Sequence, residues 1–226
     1  MELLKRALGL VVAGVVFFGL LGVYLTWAPD KPVEALTAKW APPPSQFIAL
    51  QGMQVHLRDE GPRDDPLPIV LLHGTSASLH TWEGWAEALR GQRRVIRMDL
   101  PGFALTGPNP ENDYSIERYV AFVAALADQL GVQRFVLGGN SLGGQIAWAT
   151  AVTHPQRVAS LILVDASGYA FESAKTPIDV PIGFQMARIK PLAPLVENTL
   201  PRGMVEKSVK AVYGDPSKVT PPLVDL

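Results

Sequence analysis

Between Phe135 and Gly144 the chain reads FVLGGNSLGG, and this stretch restricts the fold more than any other part of the 226-residue sequence. An apolar run of strand length breaks into glycines around one serine and continues as the helix-like GQIAWATAV. A strand ending at Gly138 and a helix starting after Leu142 force a tight turn with Ser141 at its tip. Gly139 and Gly143 stand two residues to either side, where a Cβ would collide with the neighbouring backbone. The turn exposes a hydroxyl at the positive end of a helix and sets the Leu142 N–H to stabilise an oxyanion. By itself Gly-x-Ser-x-Gly is a weak signal, because strand-to-helix turns use the same residues for structural reasons. Its neighbours in the sequence decide.

Those neighbours alternate. FIAL, MQVHLRDEG, PIVLLHG, RRVIRMDLPG, RFVLGGN and VASLILVDA read as strands, with helical patterns between the later ones. The clearest helix has Ser115 as its cap, Ile116, Tyr119, Val120, Val123, Leu126 and Leu130 at helical spacing, and Gly131 as its stop. Residues 69–72, 95–98, 135–138 and 160–164 are apolar nearly throughout, the pattern of strands buried on both faces. The alternation predicts an α/β fold, a mostly parallel sheet with right-handed crossovers and helices on both faces. Ligands of such sheets bind where strands end in loops. VLLHGTSAS ends one strand in a loop whose Thr75 N–H is a second candidate oxyanion donor, and MDLPGF ends the next beside it.

Taken in order, HGTSASLHTW (73–82), DLPGF (99–103), GNSLGG (139–144), HPQRV (154–158) and LILVDA (161–166) resemble the α/β-hydrolase superfamily. Within it the chain resembles the subgroup of lid-bearing serine esterases, lipases and carbon–carbon bond hydrolases, and the likeness covers residues 46 to about 170. It implies Ser141 as nucleophile, Leu142 and Thr75 as backbone oxyanion donors, and His73, Gly74, Gly139, Asn140 and Gly143 as the framework of elbow and oxyanion loop. It implies no metal and no organic cofactor. Relatives acting on epoxides or haloalkanes carry Asp at the elbow to form an alkyl ester, whereas Ser suits acyl transfer. One departure is Ala104, where the family often has glycine; the change is mild unless the position needs a positive φ.

In such enzymes the acid and then the histidine follow the serine. Of His56, His73, His80 and His154 only the last does so, and it ends the helix leading away from the elbow. His73 is expected to shape its loop, and His56 and His80 to have surface or loop roles. Asp165, ending the strand at 160–164, is a candidate acid; Asp215 in VKAVYGDPSK is a weaker imitation of the usual strand-Gly-x-x-Asp. Thr220, Pro221 and Pro222 signal a helix start with four residues to follow. The expectation is an N-terminal portion of a longer hydrolase whose acid and base lie mostly beyond Leu226.

Ahead of the core, ALGLVVAGVVFFGLLGVYLTW (7–27) is uncharged and long enough to cross a hydrocarbon core of about 30 Å. Lys5 and Arg6 before it, and Tyr24 and Trp27 at its far end, predict a single-pass membrane anchor with a cytoplasmic N-terminus and the main domain on the other side. A cleaved signal peptide is the alternative, although its apolar region is normally shorter and no Ala-x-Ala site follows Trp27. The expected organisation is an anchor at 1–28, a proline-rich extended linker at 29–45, the hydrolase core at 46–169 and the start of a helical lid of short proline-bounded helices at 170–226.

Twenty Lys and Arg against twenty-one Asp and Glu leave no electrostatic footprint for nucleic acid. The absence of cysteine removes disulfides, thiolate metal sites and a thiol nucleophile. The expected function is a membrane-anchored serine hydrolase acting on small lipophilic esters. A non-catalytic binding protein of the same fold, or a carbon–carbon bond hydrolase, are the alternatives.

Overall fold

The computed structural model describes residues 2–169, 186 and 188–224. The chain divides into two compact units, one of residues 32–174 and one gathering residues 1–31 with 175–226. The described strands are β1 (Gln46–Leu50), β2 (Met53–Glu60), β3 (Ile69–Leu72), β4 (Val95–Met98), β5 (Phe135–Asn140) and β6 (Val158–Val164). The described helices are α1 (Glu2–Leu25), α2 (Val33–Trp40), α3 (Glu83–Leu89), α4 (Ile116–Gln129), α5 (Leu142–Thr153), α6 (Ala193–Glu197), α7 (Arg202–Val212) and α8 (Pro221–Val224).

All six strands form one sheet in the order β1-β2-β4-β3-β5-β6. The β1–β2 and β2–β4 pairs are antiparallel and the other three are parallel. Successive strand residues face opposite sides. Val70 and Leu72 therefore join Tyr119, Phe122, Val123 and Leu126 of α4 and Ile146 of α5, while Ile69 and Leu71 meet Trp82 and Ala86 on the other face. That is why IVLL carries no polar alternation. The α4 boundaries follow the sequence signals: Ser115 Oγ accepts from Arg118 N at 3.3 Å, and Gly131 takes φ 69°.

Two strands depart from the expected burial. Among the described residues β6 is an edge strand bonded to β5 alone, and Leu161 and Leu163 are 39% and 48% exposed. β4, in turn, buries a charge: Arg97 has no exposed side-chain surface. It sits directly opposite Arg58 in the β2–β4 register, and like charges in that position repel. Glu83, at the start of α3, resolves the conflict. Its Oε2 accepts from Arg97 Nη1 at 2.8 Å and from Arg58 Nη1 at 3.1 Å, while Arg97 Nη2 donates to Glu60 Oε2 at 2.7 Å. Hydrogen bonding from Arg97 draws the Glu83 carboxyl from 4.5 down to about 2. Burial disfavours ionised Glu60, but the Arg97 and Arg90 bonds outweigh it and hold its pKa below the ordinary value.

Within the expected spacer at 29–45, residues 33–40 are helical rather than extended. VEALTAKW contains good helix formers and no proline until position 42, and it folds as α2. Its end is tied to the core, with Trp40 O accepting from His80 Nε2 at 2.8 Å. Ala104 holds φ 43°, so this position does require the left-handed region that the family's glycine accommodates.

In the other unit, α6, α7 and α8 are short helices with Pro194 in a first turn, Pro201 at an N-cap and Pro221 opening α8, as the proline spacing predicted. Pro177, Pro181, Ile182 and Phe184 of the expected lid lie outside the described residues. The segment before Gly214 is helix α7 rather than a strand. Asp215 is an exposed cap whose Oδ1 accepts from Ser217 N at 3.0 Å and Ser217 Oγ at 2.6 Å. It therefore does not occupy the expected position of an acid after a strand.

Candidate active site

β5 runs to Asn140, α5 begins at Leu142, and Ser141 between them has φ 52° and ψ −117°. This is a strained backbone for a residue with a side chain, and such strain collects at functional turns. Close packing enforces it. A Cβ at Gly139 would lie 2.1 Å from the Gly143 carbonyl oxygen, and one at Gly143 would lie 2.3 Å from Leu72 O and 2.5 Å from His73 O. The Ser141 N–H donates to Val164 O at 3.1 Å, and its carbonyl accepts from Gln145 N and Ser167 N at 3.1 and 3.0 Å. The ends of β5 and β6 thus lock the serine backbone from both sides.

The loop after β3 presses against the same turn. A Cβ at Gly74 would meet Asn140 Oδ1 at 2.9 Å and Ser141 Cβ at 3.1 Å, so glycine lets the loop approach the serine at this position. Thr75 is exposed at that loop. Leu142 opens α5, where a backbone N–H has no intrahelical acceptor, and no acidic residue occupies that first turn. Asn140 donates from Nδ2 to Val164 O at 3.2 Å and so braces the turn against β6.

His73 shapes this loop. It is fully buried, Nδ1 donates to Gly74 O at 2.7 Å, and Nε2 accepts from Leu100 N at 2.9 Å. Burial lowers its pKa and keeps the ring neutral, against the raising effects of Gly74 and Asp99. Both nitrogens being engaged, it has none free to take a proton from Ser141. His80 spans Trp40 O and Glu83, at 2.8 and 3.4 Å. His154 caps the far end of α5, separated from the serine by the helix's 12 residues, about 18 Å.

His56 overturns its expected surface or loop role. It lies on β2, wholly buried, with Nδ1 donating to Asp99 Oδ2 at 2.7 Å and Nε2 accepting from Ser45 Oγ at 2.9 Å. Ser45 Oγ also accepts from Arg58 Nε at 2.9 Å, and Asp99 accepts from Leu79 N and Leu105 N at 2.8 and 3.1 Å. Phe47 stacks on the imidazole at 5.1 Å. This serine–histidine–carboxylate line fastens Ser45 and two loops to the sheet. The only sequence signal for it is the polar His56 between apolar Val55 and Leu57. None of the four histidines is therefore placed as a base for Ser141.

Asp165 follows Val164, the residue bonded to Ser141 N, and is itself exposed with φ 45°. The loop it begins wraps the elbow: a Cβ at Gly144 would lie 2.5 Å from Ala166 Cβ, and Ser167 O accepts from Trp148 Nε1 at 3.1 Å. Sequence reading stopped at Asp165 and missed Ser167. The small residues of DASG after a strand were the available clue.

The chain is 36% identical over 130 residues to a 2-hydroxy-6-oxo-2,4-heptadienoate hydrolase of Pseudomonas putida, covering 56% of this chain and 46% of the relative. It is 30% identical over 115 residues to epoxide hydrolase 4 of Mus musculus, covering 50% and 32%. Among solved structures, a bacterial membrane phospholipase A matches with a TM-score of 0.63 at 25% identity, covering 99% of this chain and 68% of that one. The chain spans about half the length, or less, of the curated relatives it matches. The alpha/beta hydrolase fold model matches residues 68–202, from β3 through the turn at Ser141 and beyond, and the chain belongs to that family.

Proposed function

We propose that the protein is a membrane-anchored serine hydrolase that cleaves carboxylic esters of small lipophilic substrates through an acyl-enzyme. The observation that carries this reading is the left-handed Ser141 at the head of α5, with the Gly74–Thr75 loop against it. Ser141 Oγ attacks the acyl carbon, the Leu142 and Thr75 N–H groups stabilise the oxyanion, the alcohol leaves, and water releases the acid. The serine proton requires a base, a role in which none of the four histidines is placed, and Asp165 is the candidate acid that would orient that base. Serine rather than aspartate at the elbow favours acyl transfer over epoxide opening.

The lipophilic substrate and the anchor draw support from the phospholipase likeness, which extends over α1 as well as the core. Helix α1 holds one stretch, Lys5–Leu25, apolar and long enough to cross a membrane. We place its N-terminus in the cytoplasm because Lys5 and Arg6 precede the uncharged run. Protease added outside intact spheroplasts is expected to digest residues 46–226, and protection until lysis would reverse the orientation.

The likeness to a 2-hydroxy-6-oxo-2,4-heptadienoate hydrolase favours a second reading, carbon–carbon bond cleavage at the same serine. A substrate panel separates them. Hydrolysis of medium-chain nitrophenyl esters with no turnover of a vinylogous 1,5-diketone acid supports the ester reading. The opposite preference supports the second, and binding of both without turnover marks a non-catalytic member of the fold.

A further inference from the structure

The end of α1 is not followed by a free linker. Ala28 N donates to Asn198 O and Leu200 N donates to Thr26 O, both at 2.8 Å, so that Trp27 and Thr199 form an antiparallel bridge. These residues belong to one compact unit. The bridge transmits position: whatever depth Thr26–Ala28 occupy, Asn198–Leu200 occupy it too, because paired strands lie about 5 Å apart. If Lys5–Leu25 crosses a bilayer, its 21 residues span about 31 Å, close to the hydrocarbon thickness, and Thr26–Ala28 fall at the membrane–water interface.

The side chains around the bridge suit that depth. Leu200 is 61% exposed and Met204 51% exposed, with Leu195 and Trp27 also presented outward. Between residues 186 and 210 basic side chains outnumber acidic ones, among them Lys190, Arg202 and Lys207. Apolar side chains flanked by cationic ones fit an anionic lipid interface.

We propose that residues 195–204 form a second membrane contact, in which Leu200 and Met204 insert into the interfacial layer of the bilayer that α1 crosses. The occupant of this apolar surface is the lipid itself. The proposal rests on the anchor reading of α1, and it differs from that reading in requiring that a segment some 170 residues later share the same bilayer.

The absence of native cysteine makes single-site probes direct. The full chain carrying Phe17→Cys, Leu200→Cys, Met204→Cys or Glu117→Cys, each labelled with an environment-sensitive fluorophore, is reconstituted into phosphatidylcholine–phosphatidylglycerol vesicles with and without brominated acyl chains. The expected result is blue-shifted emission and a large loss of intensity with brominated lipid at positions 17, 200 and 204, and neither effect at 117. Quenching at 17 with water-like, unquenched emission at 200 and 204 overturns the second contact and leaves the anchor standing. Water-like emission at 17 overturns the anchor and the proposal together. Blue-shifted emission at 200 and 204 without quenching shows shielding by protein and also overturns the proposal.

Discussion

Replacing Arg97 by methionine is expected to lower the unfolding free energy by about 3–5 kcal/mol, the range for removing one partner of a buried ion pair. Arg97 is wholly buried, and Glu60, its partner at 2.7 Å, is almost so. After the substitution Glu60 keeps Arg90, at 2.8 Å on an exposed side chain, while Glu83 keeps Arg58 and His80. The loss concentrates on Glu60, so a second change, Glu60→Met, should return part of the stability. Acid sensitivity should change as well. A carboxyl whose pKa falls on folding contributes stability that is complete above its unfolded value and disappears as pH drops through its folded value. For Glu83 that window runs from 4.5 down to about 2, with the hydrogen bond from Arg97 as the largest cause. Urea titrations at pH 7, 4.5 and 3 should show the parent chain weakening across this window and Arg97→Met weakening less. Equal midpoints for the two chains at pH 7 would contradict the network's role.

Where the chain's apolar periodicity coincides with burial, the sequence was a sound guide. IVLL, the Ser115-capped helix and the glycine-flanked turn all declare themselves locally, because strand alternation, capping and close backbone approach are each settled within a few residues. What escaped was set by distant partners. Arg97 looks like an interruption of an apolar strand until Glu60 and Glu83 are seen to surround it, from 37 and 14 positions away. His56 was expected in a surface or loop role, and its burial is set by Asp99 and Ser45, which arrive from other loops. In the same way, VEALTAKW lay hidden between prolines, and VKAVYGD imitated a strand although its first four residues are the last of helix α7. The elbow was legible as a turn. Its bracing by Ser167 was not, because that contact is made 26 positions on.

Removal of the Ser141 hydroxyl is expected to have the largest effect on chemistry. Where a single residue forms the bond to the substrate, its loss lowers turnover by factors of about 10⁴ to 10⁶. Ser141→Ala retains the backbone bonds to Val164, Gln145 and Ser167, so the melting transition should be unchanged. The most direct measurement is covalent. The chain is treated with a fluorophosphonate, digested with trypsin, and the adduct is located by mass spectrometry. The account predicts one adduct, on the peptide of residues 135–157, absent from Ser141→Ala and formed slowly because His56, His73 and His80 are committed elsewhere. An adduct that survives Ser141→Ala, above all one on the peptide of residues 40–58 carrying Ser45, would contradict it and leave the glycine-flanked serine as a turn and nothing more.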